Sequence, residues 1–300
     1  MVAIKTVALA GASGNLGPSV LTALLNSGKF DVTVIKRIGS KSAFPSSVKV
    51  VEVDYDSLDS LTAAFRGQDA VVSTLASLAI SSQQTVLEAA IAAGVKRFLP
   101  SEFGSDLADP GIAKLPVFQE KVKFIQYLEE KAKAAPITYT LVRNNAFLDW
   151  GLKVGFLFNV AGYKPTIYGD GDKVISATTL ASVGQAIVGV LEHPEETKNR
   201  AVYVEDLHFS QNQLLDIAKR LTPGKTWEPV YADTVAMEAA SNERLAKGLF
   251  DAETFLPYIL SGIFGKQYPA NFQKLDNELL GIKGKTEADL EALLKPLLSE

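Results

Sequence analysis

The sequence predicts an α/β fold, in which a doubly wound parallel sheet is followed by a second, smaller, mainly helical domain. Over the first 145 residues, short apolar and β-branched runs alternate with helical stretches, a pattern typical of a parallel sheet covered by helices. The runs are almost continuously apolar, as expected of strands buried on both faces. After about residue 150 the alternation ends, and glycine and aromatic residues become denser. We therefore expect domains at 1–150 and 151–300, the second partly interleaved with the first.

Six strands are predicted before residue 145, which is enough for a complete sheet of this type. They are residues 6–10, 31–35, 48–53, 69–74, 97–100 and 138–142. Helices are predicted between them at residues 16–27, 58–65, 82–93 and 117–133. Gly28 and Gly94 stand where helix C-cap glycines occur. The second half adds a strand at 201–204 and helices at 180–191, 210–221, 233–247 and 287–298.

The composition excludes several function classes. Thirty Lys and Arg against 34 Asp and Glu give a net charge of -4, which argues against binding to nucleic acid or to an anionic membrane. The absence of cysteine excludes disulfides, thiolate metal sites and a cysteine nucleophile. Two histidines leave almost no material for a metal site or a Ser-His-Asp triad. No apolar run reaches the ~18 residues of a membrane span, and we expect a cytoplasmic protein.

A glycine-rich loop, GASGNLG at residues 11–17, joins the first strand to the first helix. Gly11 permits the sharp turn, Gly14 the approach of a pyrophosphate, and Gly17 close packing of helix on strand. Free N–H groups at the helix start would face the phosphates. The loop therefore predicts a Rossmann-type dinucleotide site; the alternative is a turn that binds nothing. The loop residues expected to bind are Gly11, Ser13, Gly14, Asn15, Leu16 and Gly17.

Basic residues follow the second strand, where an acidic residue would favour NAD and a basic one favours NADP. Arg37 offers a planar fork for a 2′-phosphate, and Lys36 or Lys41 offers a point charge. The sequence thus predicts NADPH as the cofactor, while the alternative for these side chains is solvation at the surface. Thr74, with Leu75 and Ala76, follows another strand end and is expected to lie against the cofactor.

Four segments resemble the NmrA-like branch of atypical short-chain dehydrogenases, in its isoflavone reductase and phenylcoumaran benzylic ether reductase group. They are the loop at 11–17, IKR at 35–37, GVKRFLPSEFG at 94–104 and FQEK at 118–121. The resemblance implies NADPH in the first domain and a small aromatic substrate in the second. It implies that Lys121 is the catalytic acid/base, and that Arg37 and Lys41 contact the 2′-phosphate. It also implies that Asn145 and Phe147 line the nicotinamide and substrate side.

The chemistry at Lys121 differs from the usual Tyr-x-x-x-Lys arrangement, because Val117 occupies the tyrosine position. Lys121 would have to supply the proton itself or through water, and partial burial would bring its pKa closer to neutral. The alternative is a solvated helix lysine, as we expect for Lys123, which points about 200° away on the helix. Ile125 and Arg143 depart from the plant pattern, which predicts a reshaped pocket.

Two functions are compatible with these observations. The first is an NADPH-dependent reductase of a small aromatic metabolite, with hydride transfer and a lysine acid/base. The second is a redox-sensing regulator that binds NAD(P) without turnover. Glu102 follows a strand end, where it would either orient the site or cap the next segment. A homodimer is also possible for this chain.

Overall fold

The computed structural model describes residues 3–75 and 80–298, and it confirms the predicted α/β class. The strands in chain order are β1 Thr6–Ala10, β2 Asp31–Arg37, β3 Lys49–Val53, β4 Ala70–Ser73, β5 Arg97–Leu99, β6 Thr138–Arg143, β7 Ala146–Phe147, β8 Thr166–Tyr168, β9 Ile175–Thr178, β10 Arg200–Tyr203, β11 Leu207–Phe209 and β12 Val230–Ala232. Each of the six strands predicted before residue 145 is present, with ends displaced by at most two residues.

The helices flank these strands. They are α1 Gly17–Ser27, α2 Leu58–Phe65, α3 Ile80–Ala92, α4 Pro110–Ala113, α5 Gln119–Ala134, α6 Leu148–Lys153, α7 Leu180–Glu192, α8 Gln211–Leu221, α9 Thr234–Ala246, α10 Ala252–Phe264 and α11 Glu287–Leu294. The predicted helices are all present, whereas α10 was not predicted because Pro257 lies within it and proline normally interrupts a helix. Within 3–75 and 80–298, no helix combines the length and hydropathy needed to cross a bilayer.

The main sheet has seven parallel strands in the order β10-β6-β5-β4-β1-β2-β3. The prediction of a complete sheet within residues 1–145 was therefore wrong, since β10 pairs with β6 from Arg200↔Thr140 to Tyr203↔Arg143. A short apolar run shows that a strand forms, but not which sheet it joins. The later chain also packs α7 on α1, where a Cβ at Gly184 would lie 2.8 Å from the Ser19 carbonyl oxygen. The division at residue 150 stays a prediction.

The rest of the later chain forms two small sheets, β11-β9-β7 and β12-β8, around a separate apolar core. Stacked aromatic rings contribute to this mainly aliphatic core. Phe158 stacks on Trp227 with ring centroids 5.9 Å apart, and Tyr168 stacks on Phe264 at 5.1 Å. The aromatic residues near 158–168 therefore form part of the second core.

Candidate functional site

The carboxyl ends of the parallel strands bring the predicted site residues to one edge of the sheet. The glycine loop follows β1, Thr74 follows β4, Ser101 and Glu102 follow β5, and Asn144 follows β6. Ligands of open α/β sheets bind at this edge. Helix α5 carries Lys121 to the same edge, because its first residues pack beside Glu102 and Arg143.

The glycine loop is shaped by backbone contacts at two of its three glycines. Gly11 has a φ of +83°, and a Cβ there would lie 2.6 Å from the Thr74 carbonyl group. A Cβ at Gly17 would lie 2.3 Å from the Gly11 carbonyl oxygen. At Gly14 the nearest protein atom would be 3.4 Å away, which is ordinary contact. Packing therefore requires glycine at 11 and 17, and leaves position 14 to be explained by a ligand.

The loop presents unused hydrogen-bond donors. The backbone N–H groups of Ser13, Asn15 and Leu16 have no partner in the described part of the chain. Leu16 is the N-cap of α1, provides no side-chain cap, and buries its side chain in the core. Ser13 and Asn15 are exposed. Free donors at the amino end of an 11-residue helix fit a phosphate group.

Thr74 and Tyr55 form hydrogen bonds at the start of this loop. The Thr74 N–H and Oγ1 both donate to the Ala10 carbonyl oxygen, at 2.8 and 2.9 Å, so the side chain of Thr74 is already engaged. Ala76, expected beside it, lies outside the described residues.

Tyr55 donates its hydroxyl to the Ile35 carbonyl oxygen at 3.1 Å. Burial raises the pKa of Tyr55 to about 12, while a hydrogen bond from the Gly11 N–H acts in the opposite direction. Sequence reasoning missed Tyr55, since no motif marks it.

The basic residues after β2 differ in availability. Arg37 and Lys41 are exposed, and neither side chain has a hydrogen-bond or ion-pair partner in the described ranges. Lys36 instead pairs with Glu52 on the neighbouring strand β3 at 2.7 Å. Of the three predicted phosphate contacts, Arg37 and Lys41 are therefore free to meet an anion, and Lys36 is partly neutralised.

Lys121 is the third residue of α5 and is half-buried. Its Nζ makes no hydrogen bond or ion pair within the residues described. Burial lowers the pKa of Lys121 below that of an ordinary lysine; the Arg143 charge acts in the same direction, and the Glu102 carboxylate opposes them. Lys123, by contrast, is exposed and pairs with Glu120 at 2.7 Å. The prediction that Lys123 faces solvent is confirmed, and catalysis by Lys121 stays a prediction.

Glu102 and Arg143 form a buried ion pair next to Lys121. Arg143 Nη1 lies 3.1 Å from Glu102 Oε2 and also donates to the Glu102 carbonyl oxygen at 3.1 Å. The side chains are 0% and 3% exposed. From the sequence, Glu102 was expected either to orient the site or to cap the next segment. In the structure its side chain pairs with Arg143.

Asn145 and Phe147 lie on the segment that leaves β6. Asn145 has a φ of +48°, and its Nδ2 donates to the carbonyl oxygens of Ser176 and Ala270 at 2.8 and 3.0 Å. Its amide therefore ties β9 and the 270 region to the main sheet. Phe147 is half-buried against the apolar core that β1, α1 and α7 share. Contact of either residue with a cofactor stays a prediction.

Buried side-chain atoms without a hydrogen-bond partner concentrate at this edge of the sheet. Apart from Gln68 Oε1, those of the described chain are Ser73 Oγ, Gln83 Nε2, Glu102 Oε1, Arg143 Nε and Asn144 Oδ1. Buried polar groups of native proteins nearly always have partners. This cluster therefore fits a site that is completed by a bound polar molecule.

Gly17 and Gly14 should differ in how much stability is lost when each is replaced by alanine. We expect Gly17→Ala to lower the free energy of unfolding by about 1–3 kcal/mol, because its Cβ would overlap backbone that cannot move aside. Gly14→Ala has room for its Cβ and is expected to unfold like the wild type. Urea unfolding of the two variants measures this difference. Equal loss in both would show that position 14 is also fixed by packing.

Comparisons with known proteins agree with this geometry. The model of the NmrA-like family matches residues 3–240. The oxidoreductase aprR of Aspergillus flavus is 35% identical over 283 residues, covering 92% of this chain and 94% of that protein. The oxidoreductase poxI of Penicillium oxalicum is 33% identical over 296 residues, covering 93% and 90%. Plant proteins named isoflavone reductase and phenylcoumaran benzylic ether reductase also match. The solved structure of AtPrR2 with NADP+ and (+)pinoresinol superposes with a TM-score of 0.77 at 24% identity over 99% of both chains, which shows the same fold.

Proposed function

This chain belongs to the NmrA-like family, as its motifs predict, and we propose that it is an NADPH-dependent reductase of a small aromatic metabolite. The observation that carries this proposal is Lys121, a half-buried lysine without an ionic partner in the described chain, at the sheet edge that also holds the donor loop. Relatives named as oxidoreductases support an enzymatic role. AtPrR2, whose structure contains NADP+ and (+)pinoresinol, has the same fold.

The cofactor would be held by backbone and by charge. The free N–H groups of Ser13, Asn15 and Leu16 would donate to the pyrophosphate, helped by the dipole of α1. Arg37 and Lys41 would meet the 2′-phosphate, which is the group that distinguishes NADPH from NADH. Bound NADPH supplies a hydride. The residues around it must then supply a proton and a dry binding surface for the substrate.

Lys121 would donate that proton, directly or through one water, to the substrate atom that gains negative charge. No tyrosine precedes it at the usual spacing, since Val117 is there. Burial disfavours the ammonium form, so the pKa of Lys121 lies nearer the range in which a general acid works well.

An apolar cluster beside the start of α5 would form one wall of a site for an aromatic ring. Its buried members are Leu107, Ile112, Leu115, Phe118 and Tyr258. Val122, which follows Lys121 directly, packs against this cluster. An aromatic substrate seated there would lie between apolar side chains and a proton donor, the usual composition of a small-molecule site.

The cofactor assignment is tested by titrating the protein with NADPH and NADH and following nicotinamide fluorescence. We expect tighter binding of NADPH, and a loss of about 10- to 100-fold in NADPH affinity for Arg37→Ala, the size of a charge-assisted contact. NADH affinity should be unchanged in that variant. Arg66→Ala is the matched control, because Arg66 is an exposed arginine at the end of α2, away from the loop.

Three results would contradict parts of this proposal. Equal affinity for the two cofactors in the wild type would remove the role of Arg37. Equal affinity together with no NADPH oxidation by aromatic substrates would favour the regulator that binds the dinucleotide without turnover. Failure to bind either cofactor would mean that the glycine-rich loop is a turn without a ligand-binding role.

A further inference from the structure

The Glu102 carboxylate faces two cations but bonds only one of them. Both Arg143 and Lys121 interact electrostatically with it. Arg143 Nη1 contacts the carboxylate and the carbonyl oxygen of Glu102, each at 3.1 Å. Lys121 Nζ has no hydrogen bond within the described chain. Arg143 therefore holds the one acidic group that would otherwise pair with the lysine.

The geometry favours Arg143 over Lys121 as the partner of the Glu102 carboxylate. A guanidinium presents several donors in a rigid plane and remains charged when buried, whereas a lysine ammonium loses its charge more readily on burial. Arg143 and Glu102 are almost fully buried, and one guanidinium nitrogen serves two oxygens of the same residue. Arg143 thus holds both Oε2 and the carbonyl oxygen of Glu102, while Oε1 has no hydrogen-bond partner in the described chain.

The other charged groups nearby have partners of their own. On β10, the Tyr203 hydroxyl donates to Asp106 Oδ1 at 3.1 Å, and the Arg143 charge acts on the same tyrosine. On α5 itself, Lys123 pairs with Glu120 at the exposed face. Burial has the largest effect on the pKa of Lys121, and Glu102 and Arg143 are the charged groups that act on it besides burial.

We propose that Arg143 is a positioning residue, which keeps the Glu102 carboxylate from pairing with Lys121 and so leaves the lysine amine free to exchange a proton with the substrate. The proposal rests on the proposed role of Lys121 as the acid. It also gives a purpose to Arg143, a position at which this sequence departs from the plant reductases that it resembles.

The test is a pH titration of Lys121 that needs no substrate. Protein labelled with ¹³C at the lysine Cε positions is titrated by NMR, and the Lys121 signal is identified by its loss in Lys121→Met. We expect Arg143→Met to shift the Lys121 midpoint to higher pH, because a cation is lost and a carboxylate is released toward the amine. Glu102→Gln should shift it to lower pH. The signal of Lys123 should stay in place in both variants.

Two further variants distinguish an electrostatic effect of Arg143 on Lys121 from a purely structural role of Arg143. Arg143→Lys retains a cation and is expected to keep the midpoint near that of the wild type, which also covers the case in which Arg143→Met does not fold. Arg97→Met removes another buried arginine, which donates to Thr138 and Thr140 at the opposite end of the sheet, and should leave the midpoint unchanged. An unchanged midpoint in Arg143→Met, or a shift to lower pH, would overturn the proposal.

The proposed function can fail separately from this inference. If Arg143→Met raises the midpoint while no aromatic substrate is reduced by the wild type with NADPH, the electrostatic role stands and the reductase assignment falls. If reduction occurs and the midpoint does not move, the reductase stands and Arg143 acts only as a structural residue.

Discussion

Replacement of Lys121 by methionine is expected to lower kcat for NADPH-dependent reduction by about 10²- to 10⁴-fold, the usual contribution of a positioned acid. Methionine has nearly the length of the lysine and fills the same half-buried space, but it carries no proton to donate. NADPH affinity should be retained, because the proposed phosphate contacts lie on the loop at 11–17 and after β2. Steady-state oxidation of NADPH and a binding titration measure the two quantities separately.

The pH dependence gives this prediction a second readout. A proton donor must be protonated, so the turnover of the wild type should fall as pH rises through the pKa of Lys121, which lies below the ordinary lysine value because of burial. In Lys121→Met this alkaline limb should disappear from whatever activity remains. Lys123→Met is the matched control, since Lys123 lies on the same helix with its side chain 68% exposed, and it should change neither turnover nor profile.

Stability should move in the opposite direction to activity. A lowered pKa means that the folded state disfavours the ammonium form of Lys121, so below that pKa the folded protein carries a penalty that the unfolded chain does not. As pH rises from the folded pKa to the unfolded one, this penalty is relieved. Lys121→Met should therefore unfold at neutral pH with a free energy equal to or above that of the wild type. Loss of activity with loss of folding would argue against a catalytic role.

Local patterns in the sequence were sufficient for the strands and the longer helices of the first 145 residues. Strands β1, β2, β4, β5 and β6 are mainly buried apolar runs, as a parallel sheet needs, whereas the edge strand β3 buries only Val53. The roles assigned to Gly11 and Gly17 correspond to the contacts that a Cβ would make. The contact at Gly17 is short-range, within the seven residues of the loop, whereas the contact at Gly11 is with Thr74 after β4, and only the turn at Gly11 could be predicted locally.

Long-range pairing was beyond the same reasoning. Glu102 and Arg143 are 41 positions apart, and Asn145 reaches Ala270, 125 positions away. One signal was available: a charged residue at the end of the apolar strand β6 requires a buried partner, and Glu102 at the end of the adjacent strand was the candidate. The pairing of β10 with β6 could not be predicted, because nothing in the sequence of β10 indicates which strand it pairs with. A homodimer and a cytoplasmic location stay predictions.

Removal of one member of the buried ion pair should be the most destabilising single change at this site. Glu102→Ala is expected to lower the free energy of unfolding by about 3–5 kcal/mol, because it leaves the Arg143 guanidinium buried without a counter-charge. Urea unfolding measures the loss. Glu120→Ala is the matched control, since it breaks the exposed pair with Lys123, and pairs of that kind contribute less than about 1 kcal/mol.

The double variant Glu102→Leu with Arg143→Met decides why the pair is present. Replacing both charges of a buried pair by apolar side chains is often neutral for stability, because the cost of desolvating two ions also disappears. We therefore expect the double variant to recover most of the stability that Glu102→Ala loses, while the pH titration of Lys121 no longer responds to either charge. Recovery of stability without recovery of turnover would mean that the pair serves the lysine rather than the fold. A double variant as unstable as Glu102→Ala would instead make the pair a structural requirement of the β5–β6 edge.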